Sequence, residues 1–212
     1  MTGRWERWVP LTGVLAVAII LIAFIVVGGS TPDTKDSGQK VFNFYKEHRD
    51  RQMLAAFVLA IGAGFLLIFA GVLRGLLARA SSTRRLASIS FGGGVLGSAG
   101  LLLAATMHLA LADSGKYGDP TVAHALNILD TDNYLPFAAG IGLMVFGAGA
   151  SFAYTRAYPR WWGIIGIVIG ALVFTPVGFF SLMACALWLV AQSIWMAIRP
   201  ASAEVTAPPA TP

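Results

Sequence analysis

The sequence predicts an all-α fold: a polytopic membrane helix bundle of six transmembrane helices, with both termini cytoplasmic and a small extracytoplasmic helical cap. Three observations predict it. Apolar stretches of span length follow one another at Val9–Gly28, Met53–Leu73, Leu86–Ala112, Tyr134–Tyr154 and Trp161–Ile198, and a span needs about 20 residues. The chain is 57% hydrophobic and only 12% charged, where a soluble domain carries roughly 25% charged residues. The gaps between stretches also sort their charges. Arginines alone mark one set: Arg4 and Arg7, then Arg74, Arg79, Arg84 and Arg85, then Arg156 and Arg160, then Arg199. The other set holds all four lysines, Arg49 and Arg51, and eight of the ten acids. Loops rich in Lys and Arg stay cytoplasmic, so the arginine set faces inside.

The first stretch, with arginines before it and Gly28-Gly29-Ser30 after it, has the outline of a secretory signal. Its apolar core exceeds the roughly 7–15 residues of a cleaved signal, so it reads as an uncleaved first span (9–28) behind a cytoplasmic segment, 1–8. The second, third and fourth spans follow at 53–73, 86–112 and 134–154. The run from Trp161 to Ile198 is too long for one helix. Thr175-Pro176-Val177-Gly178 divides it, because proline removes a helix donor and glycine permits a reversal. Spans five and six are therefore 161–175, which is short, and 179–198. Together, 9–198 form the transmembrane domain. The tail 199–212, rich in Ala, Pro and Thr, has nothing to bury and is expected to be disordered and cytoplasmic. Trp5, Trp8, Trp161, Trp162, Tyr134, Tyr154 and Tyr158 fall at expected interfaces, where amphipathic rings sit best; Trp188 lies deeper and reads as packing.

Two outer segments form the cap. In 37–52, Val41, Tyr45 and His48 recur at helical spacing, with Lys46–Asp50 and Glu47–Arg51 as i,i+4 pairs. This predicts a helix running straight into the second span. In the other segment Asp119 caps a helix with Pro120 at its first position, and Val122, Leu126 and Leu129 form an apolar stripe suited to the outer interface. A shift of 78 residues superposes Gly62, Gly64, Gly71 and Ala70 on Gly140, Gly142, Gly149 and Ala148, the pattern of a parallel internal repeat.

The net charge of +5 does not indicate nucleic acid, since topology accounts for the excess arginine. Those cytoplasmic arginines suit anionic lipid headgroups. Arginine outnumbers lysine, and Ala and Gly are abundant, which points to a bacterial plasma membrane. The single Cys185 excludes an intrachain disulfide and reads as a small buried hydrophobe.

Glycine spacing supplies the commonest signal. Gly71-x-x-x-Gly75, Gly93-x-x-x-Gly97, Gly166-x-x-x-Gly170 and Gly147-x-x-x-Ser151 allow helix backbones to approach closely. Gly64, Gly71, Gly93, Gly97, Gly142, Gly149, Gly166 and Gly170 are the expected helix-packing residues, within one chain or in a homodimer. No Asp, Glu, Lys or Arg lies well inside a span, which argues against ion-coupled transporters and voltage sensors. His108 and Gln192 are the strongest polar groups left in spans. With the outer carboxylates Asp113, Asp119, Asp130 and Asp132, His48, His108 and His124 are the residue types of a divalent-metal site, and they are the candidate ligands. Their spacing matches no metal motif, and no other cofactor is implied. His108 is expected to bond a helix neighbour, and His48 and His124 to be solvated. Asp130-Thr131-Asp132-Asn133 opens like a calcium loop but lacks its Gly and closing Glu. Ser88, Ser90 and Ser98 lie away from every histidine, so no Ser–His pair is suggested.

The order of parts resembles a bacterial family of six-span integral membrane proteins known only as a domain of unknown function. The residues that carry the likeness are Phe44-Tyr45-Lys46-Glu47-His48-Arg49, Leu73-Arg74, Tyr158-Pro159-Arg160-Trp161-Trp162-Gly163 and Ala186-Leu187-Trp188. The resemblance implies the six-span fold and brings no reaction, ligand or site residues. The residues themselves favour a non-enzymatic membrane-embedded binding or accessory protein, with a homodimer or membrane-protein partner. The alternatives are a small metal-dependent enzyme at the outer leaflet, or a passive channel or lipid transporter lined by Gln192, Ser98 and Thr106.

Overall fold

The computed structural model describes residues 8–155 and 158–198. The chain is all-α. Helix α1 runs over Val9–Gly28, opening with a 3-10 turn and closing in π-helical geometry over Ile22–Gly28. It is followed by α2 (Gly38–Glu47), α3 (Arg49–Leu77), α4 (Arg84–Tyr117), α5 (Pro120–Asp132), α6 (Tyr134–Thr155), α7 (Arg160–Leu172) and α8 (Gly178–Ile198). Five segments are long and apolar enough to cross a membrane: α1, α3, α4 with its preceding turn, α5 continued by α6, and α8; α7 is a shorter apolar helix of 13 residues. Residues 1–7 of the expected cytoplasmic segment 1–8, Arg156 and the tail 199–212 lie outside the described residues.

The six apolar helices close a ring in the order α1, α3, α4, α6, α7, α8 and back to α1, while α2 and α5 lie together over one end. Leu59, Leu66 and Phe69 of α3, Met144 and Phe152 of α6, and Cys185 and Leu189 of α8 fill its centre. Large apolar side chains such as Ile25, Phe57, Phe180 and Leu187 remain exposed on its outside, the arrangement expected where lipid is the solvent.

Glycine sets the packing of α6. Its Gly140 and Gly147 face α4: a Cβ on Gly140 would fall on the Gly97 amide nitrogen, and one on Gly147 would stand 2.7 Å from the Ser90 nitrogen. Its Gly142 and Gly149 face α7, where a Cβ would stand 3.0 Å from the Gly170 carbonyl oxygen and 2.7 Å from that of Gly163. The facing Gly93, Gly163, Gly166 and Gly170 are equally confined, while a Cβ on Gly97 would meet Ile141 at an ordinary 3.5 Å. Gly64 and Gly71, expected at helix contacts, have nothing within 4 Å of a Cβ. The residues that superpose after a shift of 78 therefore do different work: Gly62 receives Ile20 of α1, while Gly140 receives the backbone of α4.

Other expectations change in detail. The third span continues through Asp113 to Tyr117. The outer helix does not run straight into the second span, because the chain bends at His48, with φ −108° and ψ 19°. That bend separates Glu47 from Arg51 and Lys46 from Asp50, and neither i,i+4 pair forms. The reversal at Thr175-Pro176-Val177-Gly178 is present, and the Gly178 amide donates to the Thr175 carbonyl at 2.8 Å. Tyr158 and Trp162 turn inward rather than joining an interfacial belt: Trp162 stacks on Trp188 at 5.5 Å, and Tyr158 packs edge-on against Trp195 at 5.1 Å. Trp161, Tyr134 and Tyr154 stay exposed.

Because the Cβ at Gly140 would meet fixed backbone, Gly140→Ala is expected to destabilise the bundle by about 1–3 kcal/mol. Gly64→Ala, in open space, is expected to be neutral or to stabilise by up to ~1 kcal/mol through helix propensity. Unfolding of the two variants in the same detergent checks the contrast.

Candidate functional site

A cluster of polar side chains lies under the cap that α2 and α5 form. Local sequence builds the cap. The Ser37 hydroxyl accepts from the Lys40 amide at 3.4 Å to start α2. The Asp119 carboxylate accepts from the amides of Thr121 at 2.8 Å and Val122 at 3.0 Å to start α5. These amide bonds hold the Asp119 carboxyl below its ordinary range, the usual effect of hydrogen bonding to the charged form. Val41 and Tyr45 of α2, Leu111 of α4 and Ala123 of α5 close an apolar cluster separate from the main core.

Around this cluster the backbone of the α1–α2 loop is held by side chains. Asn127 donates from Nδ2 to the Pro32 carbonyl at 3.2 Å, and its Oδ1 accepts from the Tyr45 hydroxyl at 3.5 Å. Burial, with the nearby Asp130 charge, raises the Tyr45 phenol above its ordinary range, so it stays a neutral donor. The His124 Nε2 lies 3.2 Å from the Thr34 carbonyl oxygen. Each neutral bond of this kind contributes roughly 1 kcal/mol net.

The end of α1 is closed from α3. Gln52 donates to the Gly28 carbonyl at 2.9 Å, and Arg51 donates to the carbonyls of Val26, at 3.1 Å, and Val27. These acceptors are among those a helix end leaves without partners. The chain then turns at Gly29, φ 66°, a left-handed conformation that glycine adopts without strain. Arg49 spans α3 and α4 by a 2.9 Å bond to Asp113. Outside this frame, a groove of about 680 Å³ opens between the α1–α2 loop and α2, lined by Ser30, Pro32, Gln39, Asn43, Phe44 and Glu47 among others.

His108 and Asp130 face one another across α4 and α5, Nε2 to Oδ2 3.8 Å, with side chains only 8% and 17% exposed. Phe24 of α1 packs edge-on against the imidazole. The Nδ1 of His108 and the Oε1 of Gln52 are buried without a hydrogen-bond partner. His108 therefore faces a carboxylate on another helix, not a neighbour on its own. His48 stacks on Phe44 at 4.6 Å and contacts its carbonyl at 3.0 Å, and His124 holds the loop; neither is simply solvated. The three histidines do not gather with one another: among the described residues no group of three or more His, Cys, Asp or Glu comes together in metal-binding reach. Asp113 and Asp119 are used by Arg49 and by the start of α5.

The channel-lining candidates are likewise dispersed. Thr106 is exposed and bonds the Leu102 carbonyl. Gln192 accepts from the Trp162 indole at 2.8 Å. Ser98 is buried on α4 with its hydroxyl unpartnered, while Ser90 of the same helix bonds the Met144 carbonyl of α6 at 2.9 Å. Comparison with known proteins finds no matching family model, no matching curated protein and no matching solved structure.

Sequence reasoning missed Gln52, Asn127 and the pairing of Asp130. The available signal was the stripe Ala123, Asn127, Asp130, which recurs at i, i+4 and i+7 and faces inward. The apolar stripe chosen instead leaves Val122 and Leu129 exposed.

Proposed function

We propose that the protein is a non-enzymatic, six-span membrane protein of a bacterial plasma membrane, with both termini cytoplasmic, acting as a binding or accessory subunit that pairs with a second copy of itself along α3. The observation that carries the pairing is the outward side of α3. Phe57, Ile61, Gly64, Ile68, Gly71 and Gly75 recur there at alternating spacings of four and three, all exposed, and the three glycines have open space around them. A 3.5-residue period keeps one stripe facing a neighbouring helix along its length, and glycines let two backbones approach where hydrophobicity supplies no drive. Two copies inserted with the same orientation present identical stripes, so the face is self-complementary about an axis along the membrane normal. The bulky residues between the notches are uncharged, which suits a partner within the bilayer.

Support for six spans comes from the α7–α8 hairpin and the charge at its ends. Helix α7 is about 20 Å long at 1.5 Å per residue, against roughly 30 Å of hydrocarbon, but Trp161 and Arg160 at one end and the Pro176 turn at the other extend its reach. The histidines' separate engagements leave the metal-enzyme reading without a ligand set, and the scattered Gln192 and Thr106 give the channel reading no shared path.

Thiol labelling of intact cells tests the topology, in a Cys185→Ser background. Val177→Cys is expected to react with an impermeant reagent and Ser82→Cys only after permeabilisation; an unreactive Val177→Cys that reacts on permeabilisation would mean five spans. Native mass spectrometry of gently solubilised membranes tests the function. A two-chain mass that falls to one chain in Gly71→Leu is expected. A different protein in place of the second copy would keep the accessory role and overturn the pairing, and a single chain carrying no lipid, ligand or protein would overturn both.

A further inference from the structure

We propose that His108 and Asp130 form a proton-dependent latch that seats the outer cap on the bundle, so that α5 and the α1–α2 loop it holds loosen together when the pair gives up its proton. This inference is independent of pairing along α3, because the latch lies beneath the cap between α4 and α5.

The geometry sets the stakes. Asp130 is the only carboxylate that α5 turns toward the bundle, and it sits largely buried opposite an imidazole that is more buried still. A charge removed from water is tolerated when an opposite charge faces it, and leaving it alone is costly. With a proton on the imidazole, the two groups are a buried ion pair. Without it, a buried carboxylate faces a neutral ring at a separation too long for a direct hydrogen bond. The free Nδ1 adds to this, since no protein group fixes the ring's tautomer from its other side.

No other charge replaces the lost one. From α1 the site receives Phe24, and that helix carries no ionisable residue. From α2 it receives Tyr45, which stays neutral; Lys40 is committed to Asp36 at 2.8 Å, and Lys46 and Glu47 are exposed. From α3, Arg49 is committed to Asp113 and lies near Asp50, and Arg51 to the α1 carbonyls. From α4, Lys116 lies over the Tyr117 ring at 4.7 Å. From α5 itself, Asp119 caps the helix, Asp132 is exposed, and the His124 Nε2 lies against the Thr34 carbonyl. The start of α6 brings exposed Tyr134.

Ala123, Leu126 and Asn127 of α5 make contacts that carry no titratable group of α5, and His124 adds its contact with the Thr34 carbonyl. The cap is therefore held by a constant part and a switched part. Short links at Gly118-Asp119 and at Asn133 join α5 to α4 and α6. The sign follows from the pair itself: the buried ion pair exists only while the pair keeps its proton, so seating is strongest at low pH and weakens as pH rises. Loosening would bare Val41, Tyr45 and Leu111 on the outer face, an apolar surface hidden in the latched form.

Hydrogen exchange of the full chain in detergent or nanodiscs tests this, read as protection factors corrected for the intrinsic pH dependence of exchange. In the wild type, protection of 120–132 and of the loop 29–37 is expected to fall between pH 5.5 and 7.5, by no more than about tenfold per pH unit, the limit for one proton. Protection of α3 and α6 should stay level. Asp130→Asn, which keeps the shape and removes the charge, is expected to flatten the profile of α5. His108→Gln, which carries no titrating group, should do the same. Protection of α5 that is level with pH in the wild type, or that keeps its slope in folded Asp130→Asn, would overturn the latch.

Discussion

The bundle depends on one constraint: α6 must lie in direct backbone contact with a helix on each side. Successive residues turn about 100° around a helix, so Gly140 and Gly142 lie about 200° apart, on opposite faces, and Gly147 and Gly149 repeat the pair two turns on. One face takes α4 and the other takes α7. In lipid, apolar side chains gain nothing by meeting each other rather than acyl chains, so association rests on close packing and polar contacts. Side chains on either face of α6 would push one neighbour away and open the ring. The short α7 is the clearest beneficiary: five glycines along its contact with α6 and the Trp162–Trp188 stack hold a helix that is poorly matched to a bilayer by length.

Polar groups then fasten the ring at points where packing alone would allow slippage. Ser90 bonds across to the α6 backbone. Ser193 of α8 inserts its hydroxyl between the Pro10 carbonyl and the Val14 amide, which it receives at 3.2 Å. Trp162 and Gln192 tie α7 to α8. Arg51 and Gln52 close the π-helical end of α1, so this helix is fixed at its C-terminal end by α3 and at its N-terminal end by α8. The ion pairs His108–Asp130 and Arg49–Asp113 join α4 to α5 and to α3 at the end where the cap sits.

Much of this was legible in the residues. Apolar length located the spans, the Pro–Gly turn located the hairpin, and Asp119-Pro120 located the start of α5, because each is a local signal with a local cause. The glycine faces of α6 and α7 were legible as small-residue spacing. Gly64 and Gly71 carry the same spacing and yet face outward, since spacing says that a face is small and not what lies against it. The bend at His48 was hidden because its cause is tertiary: α2 packs on α4 and α5, and α3 follows another axis. Once the helix breaks there, Arg51 is free to serve the α1 carbonyls. The facing of His108 and Asp130 could not be read from either helix alone, since it requires knowing which side of α5 meets α4.

The contact on which the ring rests can be observed directly. Solid-state NMR on glycine-labelled protein in bilayers reports pairs of glycines whose backbones touch. Through-space cross-peaks are expected to join Gly97 to Gly140 and Gly149 to Gly163. If both pairs are silent under conditions where sequential contacts within each helix are seen, α6 is not wedged between α4 and α7, and the architecture described here is wrong.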